Sequence, residues 1–159
     1  MSKKPAAVFR NGALFMMISS SMSAFASSQA AEPADLLAQK RAAAQFVTPF
    51  TNELDCENVG YVQSAEVDEH FFPIFNGYDV DRSRSVSREE LLADPYIKDK
   101  GLLSLSFDMM DGNKDGEVAP WEFAAYLKQA IDMLDTDQNG DVYPAEMKSA
   151  AAERKPRIE

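Results

Sequence analysis

The feature that most constrains the fold is a twelve-residue pattern that occurs twice in the second half of the chain. It spans residues 111–122 and 135–146, which read DGNKDGEVAPWE and DTDQNGDVYPAE. Both copies carry a side-chain oxygen at positions 1, 3, 5 and 12, glycine at position 6 and valine at position 8. Glycine at position 6 indicates a sharp chain reversal, because a residue without Cβ adopts positive φ without a clash. The pattern therefore predicts two short loops that turn their oxygen donors inward.

Oxygen donors at this spacing suit a hard divalent cation, because Ca²⁺ takes about six to eight oxygens at roughly 2.3–2.6 Å from one short loop. The pattern resembles the calcium loop of the EF-hand superfamily, which includes calmodulin and parvalbumin. The resemblance implies that the glutamate at position 12 closes the site with both oxygens, and that position 7 offers its backbone carbonyl. The implied metal-binding residues are Asp111, Asn113, Asp115, Glu117 and Glu122 in one loop, and Asp135, Asp137, Asn139, Asp141 and Glu146 in the other.

A third copy of the pattern lies upstream, at residues 79–90, and reads DVDRSRSVSREE. It keeps the oxygen donors and the valine but has Arg84 where the family has glycine. A side chain held at positive φ costs on the order of 1 kcal/mol, and its charge would lie near a bound cation. Weaker Ca²⁺ binding is expected here, and a loop that keeps its shape without metal is the alternative. The implied ligands are Asp79, Asp81, Ser83, Ser85 and Glu90.

A fourth, degenerate copy occupies residues 55–66, and it precedes Asp79 by the same interval that separates Asp111 from Asp135. Val59 has no side-chain oxygen for position 5, and Glu57 is one methylene longer than aspartate at position 3, so no bound ion is expected. In chain order we name these segments the first loop (55–66), the second loop (79–90), the third loop (111–122) and the fourth loop (135–146). Residues 55–90 align with residues 111–146, and an internal duplication is the simplest interpretation.

Apolar residues one, four and eight positions before the second, third and fourth loops predict entering helices. We therefore expect an all-α fold of EF-hand helix-loop-helix units, with up to four hands in two duplicated halves. The intervals 67–78 and 123–134 each have room for only one helix, so that helix must serve the loops on both sides. Pro73 would bend or shorten the first of these helices. The longer interval 91–110 has room for two helices and a turn.

This spacing also predicts which loops lie side by side. Loops at opposite ends of one shared helix cannot easily pair with each other. We therefore expect the second loop to pair with the third, with Val86 opposite Val118 in a short two-stranded contact. The first loop is expected to pair with the fourth, with Val62 beside Val142.

The first 26 residues predict a bacterial signal peptide. Lys3, Lys4 and Arg10 precede an apolar run over residues 13–25, and Ala24-Phe25-Ala26 has the small-x-small form of a cleavage site. The protein is therefore expected in the periplasm or the medium, with retention as a membrane anchor as the alternative. The remaining chain divides into an N-terminal helical segment, 27–54, and an EF-hand domain, 55–159.

Charge and composition exclude several classes of function. Removing residues 1–26 removes three cations, which leaves 13 Lys and Arg against 26 Asp and Glu, a formal net charge of −13. Nucleic acid and anionic membranes are therefore poor partners. His70 and Cys56 are the only residues of their kinds, so neither an internal disulfide nor a Cys/His zinc site is possible. No catalytic motif is present, and the chain is not expected to be an enzyme.

Two uses of calcium remain open from the sequence. In a calcium sensor or adaptor for an unknown protein partner, ion binding would expose a contact surface. Four methionines flank the two strongest loops and suit such a surface, although they could equally fill the core: Met109, Met110, Met133 and Met147. The alternative is a structural module held together by calcium, or a calcium buffer, without switching. The sequence does not indicate an oligomeric state.

Overall fold

The computed structural model describes residues 33–152, so the predicted signal peptide and the C-terminal residues 153–159 lie outside the described part. The described chain is mainly α-helical with two very short strands, which confirms the all-α prediction. No helix among the described residues is long and apolar enough to cross a membrane. The elements are α1 (Pro33–Val47), a 3-10 turn (Thr48–Phe50), α2 (Thr51–Leu54), a 3-10 turn (Ser64–Glu66), α3 (Val67–Tyr78), β1 (Val86–Ser87), α4 (Arg88–Leu92), α5 (Lys100–Met110), β2 (Glu117–Val118), α6 (Pro120–Leu134) and α7 (Pro144–Ala152).

Two helices are shared between neighbouring loops, as the two short intervals predicted. Helix α3 connects the first loop to the second and continues through Pro73 to Tyr78. Helix α6 connects the third loop to the fourth. It begins with Pro120, whose missing N–H is not needed in the first turn, and the Glu122 carboxylate accepts the Ala119 amide at 2.9 Å.

The loops associate in two pairs. β1 and β2 are antiparallel, with Val86 opposite Val118, and this joins the second loop to the third. Val62 and Val142 form an isolated antiparallel bridge that joins the first loop to the fourth. Both pairings were predicted from the sequence. All four valines are at most 1% exposed, so each pairing also contributes apolar surface to the core.

The core is a cluster of aromatic rings centred on Phe46 of α1. The Phe46 ring lies 5.9 Å from Tyr78, 5.8 Å from Phe123 and 5.6 Å from Tyr126, measured between ring centroids. Helix α1 packs against α5, α6 and α7. The N-terminal helix is therefore part of the same core as the helices that flank the loops.

The chain between the second and third loops forms the end of one helix, a break and a second helix, as the longer interval predicted. Helix α4 ends at Leu92 after little more than one turn, and α5 begins after Asp99, whose carboxylate accepts the amides of Gly101 and Leu102. This N-cap satisfies backbone donors that have no partner within the helix. The break allows α5 to return so that the third loop lies beside the second.

Candidate metal centre

All four loops share one backbone conformation. Position 4 is left-handed in each, with φ between 54° and 61°, and position 6 is also left-handed. Three of the residues at position 6 are glycines with φ between 89° and 93°, whereas Arg84 of the second loop has φ 74°. The second loop therefore reaches the shape of the others despite its Cβ. The residues at position 4 are Asn58, Arg82, Lys114 and Gln138.

The aspartate that opens each loop holds this shape from the inside. Its two carboxylate oxygens accept the backbone N–H groups of positions 5 and 6, at 2.8–3.2 Å in all four loops. In the third loop, Asp111 accepts the amides of Asp115 and Gly116, both at 3.1 Å. Loop amides that point inward thus converge on one carboxylate, which fixes its position before any ligand arrives.

The glutamate at position 12 makes different hydrogen bonds in the first loop than in the other three. Glu90 accepts the amides of Val80 and Asp81, Glu122 accepts the amide of Asn113, and Glu146 accepts the amide and hydroxyl of Thr136. These three carboxylates therefore reach back across their loops to positions 2 and 3. Among the described hydrogen bonds, Glu66 accepts only the Gln63 amide at the start of its own 3-10 turn, and its loop is not closed in this way.

Carboxylates converge most closely in the second and fourth loops. Asp79, Asp81 and Glu90 each offer an oxygen, and these oxygens lie within 4.8 Å of one another. Asp135, Asp137 and Glu146 make the same arrangement in the fourth loop. In the third loop Asn113 stands in place of the second aspartate, and its amide oxygen accepts the Asp115 amide at 2.8 Å. Position 3 of the third loop therefore offers an uncharged amide oxygen, which is also a ligand for Ca²⁺.

Several loop carboxylates are buried without a cationic partner. Asp79 and Asp111 are each 8% exposed, and Glu122 is only 2% exposed. In residues 35–152, whose side chains are described, the ion pairs are His70–Glu69, Arg88–Asp108 and Lys128–Asp68. None of these pairs includes a loop carboxylate. A buried charge is costly unless it is paired or coordinates a metal. Backbone N–H groups donate to each of these carboxylates, and a bound cation would offset their charge.

Hydrogen bonding keeps several of these carboxylates ionised. The hydroxyl and amide of Ser83 lower the pKa of Asp81. Partial burial acts to raise the pKa of Glu90, but hydrogen bonds from Ser87, Asp81 and Val80 outweigh it, so that the pKa is lowered. The pKa of Glu146 is lowered in the same way, with burial opposed by donors from Tyr143 and Thr136. Metal ligation requires deprotonated oxygens, and these groups supply them at neutral pH.

The side chains at position 7 of the second and third loops contact each other. The Ser85 hydroxyl donates to Glu117 at 2.6 Å, which joins position 7 of the second loop to position 7 of the third. In the other pair, Gln63 of the first loop donates to Asp141 of the fourth at 2.5 Å. In both pairs, therefore, a side chain at position 7 contacts the neighbouring loop: Ser85 and Glu117 in one pair and Asp141 in the other.

Some contributors were not identified from the sequence. The side chains of Gln63 and Thr136 position Asp141 and Glu146, and the inward amides of positions 5 and 6 orient the opening aspartates. The loop pattern itself could have predicted the role of these amides. The role of Gln63 could be predicted only from the pairing of the loops, since its partner Asp141 belongs to the fourth loop.

The side chains considered for other chemistry lie apart from the loop carboxylates or in the first loop. The His70 side chain is 33% exposed, and its Nε2 lies 3.8 Å from the Glu69 carboxylate. Cys56 is exposed at position 2 of the first loop and donates to the Glu53 carbonyl at 3.2 Å. Desolvation and the nearby carboxylates Glu66 and Asp55 raise the pKa of this thiol, which disfavours the reactive thiolate.

Comparison with models of known protein families, with curated proteins and with solved structures found no match. The loop residues and their geometry are therefore what connects this chain with metal binding. The arrangement combines hard oxygen donors, inward amides and buried carboxylates, and it recurs along one chain. These are the properties that a site for a hard divalent cation needs.

Proposed function

We propose that this chain is an exported calcium-binding protein of the EF-hand type. The observation that carries the proposal is the convergence of carboxylates in loops that contain no compensating Lys or Arg pair among the described residues. Ca²⁺ would offset this charge. The proposed ligands come from the second, third and fourth loops. Binding in the second loop is proposed to be the weakest, because Arg84 occupies position 6.

The donor set favours calcium over other biological metals. The three loops contain neither histidine nor cysteine, whereas zinc prefers nitrogen and sulfur ligands. Magnesium requires a small octahedron and keeps several of its waters. A twelve-residue loop with carboxylate, amide and backbone oxygens instead matches the larger and more adaptable shell of calcium.

The first loop is proposed to act without an ion. Val59 at position 5 is 46% exposed and offers no side-chain oxygen. Among the described hydrogen bonds, Glu66 accepts only the Gln63 amide and does not reach back across its loop as Glu90, Glu122 and Glu146 do. The loop still pairs with the fourth loop through Val62 and Val142. Its proposed role is to hold the fourth loop in place.

The positions of the methionines favour a structural use of calcium over a switching one. Met110 and Met147 are each 2% exposed and belong to the core. Met109 and Met133 are partly buried and pack against that core. These side chains therefore fill the interior and do not form an exposed contact surface. A calcium-stabilised module would need only modest affinity outside the cytoplasm, where dissociation constants of roughly 10⁻⁴ to 10⁻³ M are common.

A sensor or adaptor role for a protein partner is the second candidate. Of the exposed apolar side chains in the loops, the two most exposed are Val80, at 75%, and Trp121, at 63%. Trp121 directly precedes the closing ligand Glu122, so a shift of that carboxylate on ion binding would move the indole ring. A partner that contacts these side chains would then respond to calcium.

Calorimetric titration with calcium tests the binding proposal. We expect wild-type protein to bind about three ions per chain, and each of Glu90→Gln, Glu122→Gln and Glu146→Gln to lose one site. Glu66→Gln is the matched control and should leave the number of sites unchanged. No heat of binding at millimolar calcium, or equal losses in Glu66→Gln and Glu146→Gln, would contradict the proposal.

Circular dichroism and a hydrophobic dye distinguish the two roles. A structural module should become compact with calcium without binding the dye, whereas a sensor should bind the dye only when calcium is present. Export is tested separately by N-terminal sequencing of protein recovered from outside the cytoplasm. A mature chain that begins at residue 27 would support cleavage after Ala26, and recovery of the intact chain from the membrane would support the anchor.

A further inference from the structure

A groove of about 860 Å³ opens on the face of the molecule beside the second loop. We name it the α3–α4 groove. Its walls come from three segments: the turn and helix of residues 48–54, helix α3, and the chain over residues 80–96, which includes the second loop and α4. Its volume lies in the range of about 300–1,000 Å³ that is typical of ligand sites. The apolar part of the lining includes Pro49, Phe50, Pro73, Ile74, Val80, Ala93, Pro95 and Tyr96.

The floor of this groove is held in place by Asp94. Its carboxylate is 8% exposed and accepts the Tyr78 hydroxyl at 2.5 Å and the amides of Tyr96 and Ile97 at 2.6 and 3.0 Å. Desolvation and the hydrogen bond to Asp94 raise the pKa of Tyr78, so its hydroxyl remains a donor. The backbone around Tyr96 is therefore fixed while its ring is 82% exposed. An exposed aromatic ring on a fixed backbone offers apolar surface that a ligand can cover.

The charge of the groove has one sign. Among the described residues that line it, Glu53, Glu90 and Asp94 are acidic and none is basic. The Lys100 ammonium contacts the Asp94 backbone carbonyl but is not part of the lining. Glu90 is used within its own loop and Asp94 in the floor, so the exposed Glu53 is the carboxylate best placed to meet a ligand. The groove therefore complements a cationic ligand that also presents apolar surface.

We propose that the α3–α4 groove binds an extended, proline-containing segment of a partner protein that carries an arginine or lysine. Flat proline and aromatic walls suit a polyproline II segment, which has no internal hydrogen bonds and is already extended before it binds. The Tyr96 ring packs against the segment, and its hydroxyl can donate to a backbone carbonyl. Glu53 pairs with the cationic side chain. This site goes beyond calcium binding, although Val80 and Glu90 of the second loop belong to its lining.

Binding of a short synthetic Arg-Pro repeat peptide to the full chain tests this proposal, with a Glu-Pro repeat peptide as the charge control. Calorimetry is performed with calcium and with chelator, and binding in either condition counts in favour. We expect Tyr96→Ala to weaken binding of the Arg-Pro peptide about tenfold or more. Glu53→Gln should weaken it about threefold and reduce its dependence on salt.

Two matched variants separate the groove from the general acidity of the chain. Glu89→Gln removes an exposed carboxylate of α4 outside the lining, and Trp121→Ala removes an exposed ring far along the sequence. Both should bind the peptide as wild type does. Absence of binding in both conditions overturns the proposal. Losses in these two variants equal to those in Glu53→Gln and Tyr96→Ala also overturn it, since attraction would then be non-specific.

Two other occupants of the groove are distinguished in the same experiments. A second copy would give a dimer in analytical ultracentrifugation that Tyr96→Ala dissociates. The chain's own residues 153–159, which include Arg154, Lys155 and Arg157, would compete with the peptide. A full-length variant with serine at these three positions would then bind the peptide more tightly. Either result overturns the assignment to a partner segment. Unchanged far-ultraviolet circular dichroism ensures that each variant is folded.

Discussion

Val62 and Val142 form a reciprocal backbone pair although they lie far apart in the sequence: the Val62 amide donates to Val142 at 3.0 Å, and the Val142 amide donates to Val62 at 2.8 Å. This pair places the first loop, which lacks a full set of ligands, directly beside the fourth loop. Gln63 adds a side-chain hydrogen bond to Asp141 across the same contact. The degenerate loop is therefore a structural partner of the fourth loop.

Replacing Val62 with alanine should lower the free energy of unfolding by about 1–3 kcal/mol, because it removes methyl groups from a fully packed contact. The control is Val59→Ala in the same loop, where the side chain is 46% exposed and the expected change is within about 0.5 kcal/mol. Urea unfolding followed by circular dichroism measures both. Equal effects in the two variants would show that the bridge does not contribute to stability.

Calcium should raise the unfolding temperature of this protein by mass action. A site that binds only the folded chain contributes about 2.7 kcal/mol when free calcium is a hundred times its dissociation constant. Glu146→Gln should reduce this calcium-dependent gain, since Glu146 belongs to a converging carboxylate group. Glu66→Gln should retain the full gain. Thermal unfolding with calcium and with chelator measures the effect, and a gain that is identical in both variants would argue against the fourth loop as a site.

Arg84 is the residue that makes the second loop unlike the third and fourth. Its φ of 74° lies in the left-handed region, where a Cβ costs on the order of 1 kcal/mol relative to glycine. Arg84→Gly should therefore stabilise the folded chain by about 1 kcal/mol and tighten calcium binding at the second loop by removing a positive charge. Arg84→Lys keeps both the Cβ and the charge and should behave as wild type.

A third substitution separates the two effects of Arg84. Arg84→Asn removes the charge and keeps a Cβ on a residue that tolerates the left-handed region. It should tighten calcium binding, as measured by calorimetry, with less gain in unfolding free energy than Arg84→Gly. If neither Arg84→Gly nor Arg84→Asn changes affinity, then the exposed guanidinium is too well solvated to influence the ion.

Local spacing predicted the loops and their pairing because each loop encodes its own shape within one short segment. The short intervals 67–78 and 123–134 likewise required α3 and α6 to be shared, since a single helix fills each of them. The central position of Phe46 could not be predicted, because its contacts with Tyr78, Phe123 and Tyr126 join distant parts of the chain.

The α3–α4 groove was missed for a similar reason. It is assembled from three segments, and its floor depends on the hydrogen bond between Tyr78 and Asp94. From the sequence, the interval that contains Asp94 was expected only to hold two helices and a turn. Tertiary packing decides which N–H and O–H groups donate to an aspartate, and a sequence pattern does not contain that information. The carboxylate of Asp94 in fact organises both the break and the neighbouring tyrosine.

Tyr78→Phe tests this organising role. Removing the hydroxyl leaves the buried Asp94 oxygen without that donor, and the expected loss is about 1–3 kcal/mol of unfolding free energy. Tyr96→Phe is the matched control, because its ring is 82% exposed and the expected change is within about 0.5 kcal/mol. Both variants are compared by urea unfolding. A small effect at Tyr78 would indicate that water replaces the hydroxyl.

The buried tyrosines should make the protein sensitive to alkaline pH. Burial raises the pKa of Tyr126 from 10.0 to about 12, although its hydrogen bond to Ser106 acts in the opposite direction. Between these two values the folded chain binds more protons than the unfolded chain, so stability is complete below about pH 10 and falls as pH rises towards 12. Each such tyrosine contributes a loss of at most about 1.4 kcal/mol per pH unit. Urea unfolding at several pH values should therefore show a shallower alkaline decline in Tyr126→Phe than in wild type, and equal slopes would exclude Tyr126 as the source.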